Sequence, residues 1–306
     1  MIKAIIYFAT ILAFTCNACL AQKTVKRYTG TRMETLRQQI DSITRRYNAT
    51  IGVALVSIEN GDTLTINNTH HFPMQSTYKF PLAIAVMNQV DKGKLALAQN
   101  VHIPREQLHH TWSPLKDKYP DADVDITLEE LVHYTVSMSD NNGCDVLFRL
   151  IGGTGKTNAY IHSLGIKDIS IAATEEEMGK GWNVQYTNWV TPYAMAQLLE
   201  GLFHKKYLSA ASNDFLMQQM VKTETGPKRL KGQLPVGTIV AHKTGTSDAN
   251  EKGMMAATND VGIITLPNGK HIAIAVYVLN SMESLETNEK IIAEIAGVAF
   301  DHFVRY

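Results

Sequence analysis

The chain is short of cysteine, of net charge and of long apolar runs, and each shortage excludes something. Its 306 residues include 3 Cys, too few for a fold stapled by disulfides. Two of these, Cys16 and Cys19, lie at the extreme N-terminus, which leaves Cys144 alone in the body of the chain. Lys+Arg and Asp+Glu both number 29. A net charge of zero gives no global electrostatic reason to bind nucleic acid, and none is expected as a partner. The one apolar run, Ala4 to Phe14 broken by Thr10, is shorter than the ~20 residues that span a bilayer. The 11 His are scattered, and His70-His71 and His109-His110 are adjacent pairs rather than metal ligands spaced on one helix face. No metal or cofactor is expected. With 45% hydrophobic and 19% charged residues, the chain has a globular composition and must be held by its core.

Residues 1–21 read as a secretory signal. Lys3 supplies the positive start, the apolar run follows, and small residues at Ala18 and Ala21 place cleavage after Ala21. Cys19 is where a lipid anchor would attach, although Cys16-Asn17-Ala18 fit such a signal poorly. Residues 22–306 are then a single exported domain, periplasmic, without a membrane span and with nothing that calls for an oligomer.

Periodicity orders the body of the chain. Met33 to Tyr47 has the spacing of an amphipathic helix, and Ile51 to Ile58 reads as a strand before the turn Asn60-Gly61-Asp62. About 76 to 221 is mostly helical: Leu82–Val90 closed by Gly93, Leu128–Leu150 closed by Gly152-Gly153, and Pro192–Phe203. Thr238–His242 and Val261–Leu266 read as strands, Asn268-Gly269 as a hairpin turn, His271–Leu279 as the return strand and Ser284 to Phe303 as a last helix. Strands at both chain ends can share one antiparallel sheet. This gives an α/β lobe from about 22–75 and 222–306, a helical lobe from about 76–221, and a cleft between them for a small molecule.

Three short motifs fall near that cleft. Ser76-Thr77-Tyr78-Lys79 opens an apolar helix, where positions i and i+3 share a face and unpaired N–H groups favour negative charge. Ser139-Asp140-Asn141 interrupts the Leu128–Leu150 pattern with three polar residues. Lys243-Thr244-Gly245-Thr246 sits on a strand, and glycine there lets a ligand approach the backbone. Singly, each also reads as an ordinary helix cap, loop or strand end.

In this order the three resemble the signature set of the penicillin-recognising serine enzymes. The likeness runs from Ser76 to the C-terminus and is to class A serine β-lactamases, in their divergent extended-spectrum branch. Val184-Gln185-Tyr186-Thr187-Asn188-Trp189, Arg229-Leu230-Lys231-Gly232-Gln233-Leu234-Pro235 and Ala241-His242-Lys243-Thr244-Gly245-Thr246-Ser247 carry it. The resemblance implies the β-lactamase/DD-peptidase fold, an antiparallel sheet flanked by helices plus an all-helical lobe, and hydrolysis of β-lactam antibiotics through a serine acyl-enzyme.

It also implies roles. Ser76 attacks the lactam carbonyl, with the N–H groups of Ser76 and Thr246 as oxyanion hole. Lys79, with or without Glu175 acting through a water, takes the Ser76 proton. Ser139, helped by Lys243, passes a proton to the lactam nitrogen, and Glu175 activates the deacylating water. Registering Met178 with the family pattern selects Glu175 from Glu175-Glu176-Glu177, with Glu176 the alternative. Lys243, Thr244 and Thr246, flanking Gly245, hold the substrate carboxylate. Arg229 stands in for the usual Arg, which Val261 replaces. Asn141 binds the side-chain amide and Trp112 lines the entrance. Thr246-Ser247 and the altered omega loop favour cephalosporins. The departures are in that loop, Ala173 and Asn188 where an Arg–Asp clamp is usual and Gly179 for the Asn that helps hold water, and on the Ser-Asp-Asn helix, Asp145 for the Asn near the base. Two rivals remain, a D-Ala-D-Ala peptidase lacking the Glu175 step and a β-lactam receptor that stays acylated.

Overall fold

A computed structural model describes residues 32–121 and 123–306. The expected signal segment, with Cys16 and Cys19, lies outside them. In chain order the elements are helix α1 at 32–44, then β1 (Thr50–Ser57), β2 (Thr63–Ile66), β3 (Phe72–Pro73), a 3-10 turn at Gln75–Tyr78 and α2 (Lys79–Asp91). Next come β4 (Asn100–Ile103), α3 (Pro114–Lys118), β5 (Val124–Thr127), α4 (Leu128–Val136), α5 (Asn141–Ile151) and α6 (Thr154–Ser163). They are followed by β6 (Ile169–Ser170), α7 (Glu175–Met178), β7 (Trp189–Val190), α8 (Pro192–Phe203) and α9 (Ala210–Val221). The chain ends with β8 (Val240–Thr246), β9 (Met255–Thr265), β10 (His271–Ser281) and α10 (Leu285–Arg305).

Strands from both chain ends form one five-stranded antiparallel sheet, ordered β2-β1-β10-β9-β8. Alternate residues serve opposite faces. Val53 and Leu55 of β1 and Ile272, Ile274 and Val276 of β10 join Leu36, Ile40, Ile291 and Ile295 of α1 and α10 in one core. Ala54, Val56, Ala273, Ala275 and Tyr277 face a second core with the helical lobe. Each fully buried Ile or Leu contributes roughly 1.5–3 kcal/mol, which is how a chain with one buried free thiol in its described part is held together. Within the helical lobe α2 runs through the middle, buried without a break from Lys79 to Met87. A helix apolar all round belongs at the centre of a lobe.

Three expectations change. The Leu128–Leu150 pattern is two helices, because Ser139 adopts φ +60 and Asp140 caps α5 by accepting the Gly143 N–H at 2.7 Å. The apolar spacing continues across the break, so periodicity alone runs the helices together. The helical lobe also carries two small sheets, β4–β5 and β3–β7–β6. Strands of two to four residues are too short to show alternation. Finally, β9 begins at Met255, not Val261: its polar stretch Thr258-Asn259-Asp260 is buried and partnered rather than exposed.

Candidate active site

Ser76 lies in the 3-10 turn between β3 and α2, half-buried, and lines two adjoining cavities of about 560 and 290 Å³. Behind it the chain is packed to the limit. A Cβ on Gly245 would stand 2.5 Å from the Met74 carbonyl oxygen and 3.2 Å from the Ser76 nitrogen. The approach of the turn that carries Ser76 therefore by itself requires glycine at 245. Asn259 of β9 fixes the same turn by donating to the carbonyls of Pro73 at 2.9 Å and Met74 at 3.1 Å.

Lys79 follows at the start of α2, fully buried. Its ammonium donates to the Ser139 carbonyl at 2.8 Å and to Asn141 Oδ1 at 2.5 Å, and lies 3.0 Å from Glu175 Oε1. One cation thus ties the turn that carries Ser76 to the Ser139–Asn141 segment and to Glu175. The break between α4 and α5 makes this reachable: the left-handed Ser139 turns its carbonyl to Lys79 and its hydroxyl to Lys243, whose Nζ donates to it at 2.7 Å. Asp140 anchors the break from below, accepting from Ser113 Oγ at 2.9 Å and the Leu115 N–H at 2.7 Å.

The three consecutive carboxylates have three different fates. Glu175 turns inward to Lys79. Glu176 points outward, 3.1 Å from Lys180 and 3.5 Å from His109. Glu177 completes a capping box with Thr174 at the start of α7. The loop around them is closed by neutral groups where an ion pair is usual. Asn188 accepts the N–H groups of Ala172 and Ala173 at 2.7 and 2.9 Å and donates to the Ala173 carbonyl at 2.8 Å. Asp145 of α5 accepts the N–H groups of Glu175 and Glu176 at 2.8 and 2.9 Å. Burial first, with the Glu175 charge adding to it, pushes the Asp145 carboxyl up to about 6. Asp145 thus also tethers the loop to α5. A side-chain pair between Gln75 and Gln185 links the nucleophile turn to the loop's far end. Gly179 lines the larger cavity beside Glu175.

On the opposite wall, β8 is the free edge of the sheet. Ser247 donates its N–H to the Ala257 carbonyl at 2.9 Å, so Thr246, one residue earlier, occupies a position not bonded to β9. Its N–H therefore points off the edge. Thr246 Oγ1 accepts from Arg229 at 2.7 Å. Arg229 is buried and also donates to the carbonyls of Gly245 and Asn259 at 3.1 and 3.0 Å, with Glu289 as its ion partner at 3.2 Å. It lines the smaller cavity while being braced from behind. Val261 pairs with Lys243 in register and is buried in the core. Thr244 shares a hydrogen bond with Thr225, and both line the smaller cavity. Ser247 reaches the cavity rim, but its hydroxyl accepts the Ala257 N–H at 3.0 Å. Burial, with Lys79 nearby, pushes the Lys243 ammonium well below its ordinary range.

Asn141 spends both ends of its amide, accepting from Lys79 and donating to Thr111 Oγ1 at 2.8 Å. Trp112 is 62% exposed at the cavity mouth, held by its indole N–H to the Met138 carbonyl at 3.1 Å. Cys144 is buried behind the site beside the Tyr78 hydroxyl, its thiol pushed up by burial. The structure thus brings together Ser76, Lys79, Ser139, Asn141, Glu175, Lys243, Thr244, Gly245, Thr246, Ser247, Trp112 and Arg229 around one pair of cavities. Sequence reasoning missed Asn259, Gln75, Thr225 and Glu289, which reach the site only through tertiary contacts. Among the described residues no group of three or more His, Cys, Asp or Glu is arranged to hold a metal ion.

Comparison with known proteins agrees with this geometry. Residues 35–303 match the family model of the beta-lactamase enzyme family. The chain is 49% identical over 280 residues to beta-lactamase VEB-1 of Pseudomonas aeruginosa, covering 90% of this chain and 93% of that one. The solved structure of TLA-3 extended-spectrum beta-lactamase is 54% identical with a TM-score of 0.88, covering 89% of this chain and 99% of its own. A class A beta-lactamase from Bacteroides cellulosilyticus is 42% identical with a TM-score of 0.87, covering 90% and 99%. The chain belongs to the beta-lactamase family, as a class A serine β-lactamase.

Proposed function

We propose that the chain hydrolyses β-lactams through an ester on Ser76, with the residues above in distinct roles. The observation that carries this reading is the double link through Ser139: its carbonyl on Lys79, which also meets Glu175, and its hydroxyl on Lys243. Lys79 first gives up its own proton, to the Glu175 carboxylate or to solvent, and as the free amine takes the Ser76 proton while the hydroxyl oxygen bonds to the lactam carbonyl carbon, with Glu175 assisting through a water. The oxyanion is held by the N–H groups of Ser76 and Thr246, the second of which is free of the sheet ladder. The lactam C–N bond breaks as Ser139, held by Lys243, protonates the nitrogen and regains a proton from the Lys79 ammonium, which recovers its own. Glu175 then takes a proton from a water that attacks the ester and returns it to Ser76 Oγ as the ester C–O bond breaks, releasing the ring-opened acid and restoring Ser76.

Lys243, Thr244 and Thr246 hold the substrate carboxylate, with Arg229 adding charge from behind. Asn141 exchanges Thr111 for the substrate's side-chain amide, and Trp112 covers the entrance. The larger cavity extends from Ser76 to Gly179 and Trp182 on the loop, which gives room for a bulky acyl side chain and supports a preference for cephalosporins. The enzyme acts as a periplasmic monomer after loss of residues 1–21, and its activity confers antibiotic resistance. No helix among the described residues is long and apolar enough to cross a membrane.

The test mixes purified protein with a chromogenic cephalosporin and follows colour and intact mass together. Rapid turnover with a transient adduct on Ser76 is expected. A permanent adduct without turnover would indicate a receptor, and turnover of D-Ala-D-Ala peptides in place of the lactam a peptidase.

A further inference from the structure

Directly beneath Lys243 lies a buried pair with no part in the mechanism above. His242 on β8 and Asp260 on β9 are both fully buried. His242 Nδ1 is 2.9 and 3.0 Å from the two Asp260 carboxylate oxygens, and Asp260 also accepts the Leu230 N–H at 3.2 Å. The other imidazole nitrogen, Nε2, is buried with no hydrogen-bond partner among the described residues. That orphan decides the protonation state. A cationic imidazole would bury a second N–H with nothing to accept it, which is costlier than burying a bare lone pair. His242 is therefore neutral and donates from Nδ1, Asp260 keeps its charge, and the pair carries a net charge of −1.

The placement of that charge gives it a use. Side chains alternate along β8, so His242 and Lys243 face opposite sides of the sheet and Asp260 lies on the His242 side. Lys243 Nζ itself touches only neutral acceptors, Ser139 Oγ and the Thr244 carbonyl. The charged groups around it are Lys79 from α2, Glu175 from α7, Arg229 from the 226–232 segment and Asp260 from β9. Glu175 is committed to Lys79, and Arg229 to Glu289. Asp260, whose two partners, the His242 imidazole and the Leu230 N–H, are neutral, is the buried carboxylate left to balance Lys243.

We propose that the His242–Asp260 pair is a fixed counter-charge beneath β8 that keeps Lys243 an ammonium, able to hold a substrate carboxylate and to serve Ser139. This rests on the reading of Lys243 as a site residue. Asp260 and His242 act through Lys243 and are positioning residues, not groups that meet the substrate. Burial and Lys79 push the Lys243 ammonium toward losing its proton, and Asp260 and Glu175 oppose that.

The test is the pH profile of kcat/KM on a chromogenic cephalosporin, with melting temperatures alongside. In Asp260→Asn the alkaline limb is expected to move down by roughly one pH unit, with the acid side unchanged. His242→Asn keeps a donor to Asp260 and is expected to leave the limb in place. An equal loss at every pH in Asp260→Asn, or an unmoved limb, would overturn the proposal. So would an upward shift in His242→Asn, which would mean that a cationic His242 had been cancelling Asp260. If Asp260→Asn does not fold, an upward shift in His242→Asn still overturns the proposal. An inactive parent would overturn the β-lactamase reading and this one together, whereas an active parent with an unmoved Asp260→Asn limb overturns this one alone.

Discussion

Two lysines are fully buried in the site, and they are not buried in the same way. Lys79 has a carboxylate in direct contact, Glu175 at 3.0 Å. Lys243 touches neutral oxygens only, and among the described residues no carboxylate lies within ion-pair distance of it. A directly paired lysine can pass its proton to a neighbour and stay compensated. An unpaired buried ammonium instead keeps its attraction unspent, available to an anion that arrives in the cavity. In the proposed mechanism the difference separates two jobs: proton transfer at Lys79, anion capture at Lys243.

Substitution should break the comparison unevenly. Lys79→Met strands the Glu175 carboxylate, and losing one partner of a buried pair typically costs about 3–5 kcal/mol. Acylation is expected to fall by roughly 10³-fold, the scale of a lost acid–base group. Stopped-flow acylation and thermal melting read the two effects. Lys243→Met removes a buried cation that no carboxylate touches and whose counter-charge, Asp260, lies across the sheet, so its melting temperature should fall by less than that of Lys79→Met. KM for carboxylate-bearing substrates should rise by at least about tenfold, the ~1.4 kcal/mol of one weakened charged contact. If both variants lose stability alike, the distinction fails.

The loop sharpens the same contrast, because it positions Glu175 for Lys79 with no ion pair of its own clamp. Asn188→Ala removes three hydrogen bonds to buried or half-buried backbone groups. A cost of about 1–3 kcal/mol is expected, with deacylation slowed more than acylation in single-turnover measurements. The smallest effect concerns Asp145. Its carboxyl is raised to about 6 in the folded chain, above the ordinary 3.8, so the folded state takes up this proton first as pH falls. Stability from this group is therefore lost as pH rises from about 4 to about 6 and regained on acidification. Asp145→Asn should flatten that slope in melting curves across the range.

Much of this was legible in the sequence, and the limits have physical causes. The three motifs are local, so Ser76, Lys79, Ser139 and Lys243 can be read directly. Alternating strands and the Asn268-Gly269 turn gave the sheet. What stayed hidden depends on long-range pairing. Asn259 looks like an exposed polar residue until the Pro73 and Met74 carbonyls arrive beside it. Ser139 breaks a helix because capping by Asp140 outweighs apolar spacing. Asn188 was noticed as the loss of an ion pair, but its three hydrogen bonds become visible only when Ala172 and Ala173 fold against it. Gly245 was rightly singled out for a close approach, although what approaches is the chain's own turn.

The most direct measurement on the central claim is intact-mass spectrometry of Glu175→Gln mixed with a cephalosporin. Lys79 remains to carry acylation, so one equivalent of adduct should form and persist, with peptide mapping placing it on Ser76. Turnover at the parent's rate, or an adduct on any other residue, would contradict the roles assigned to Ser76, Lys79 and Glu175.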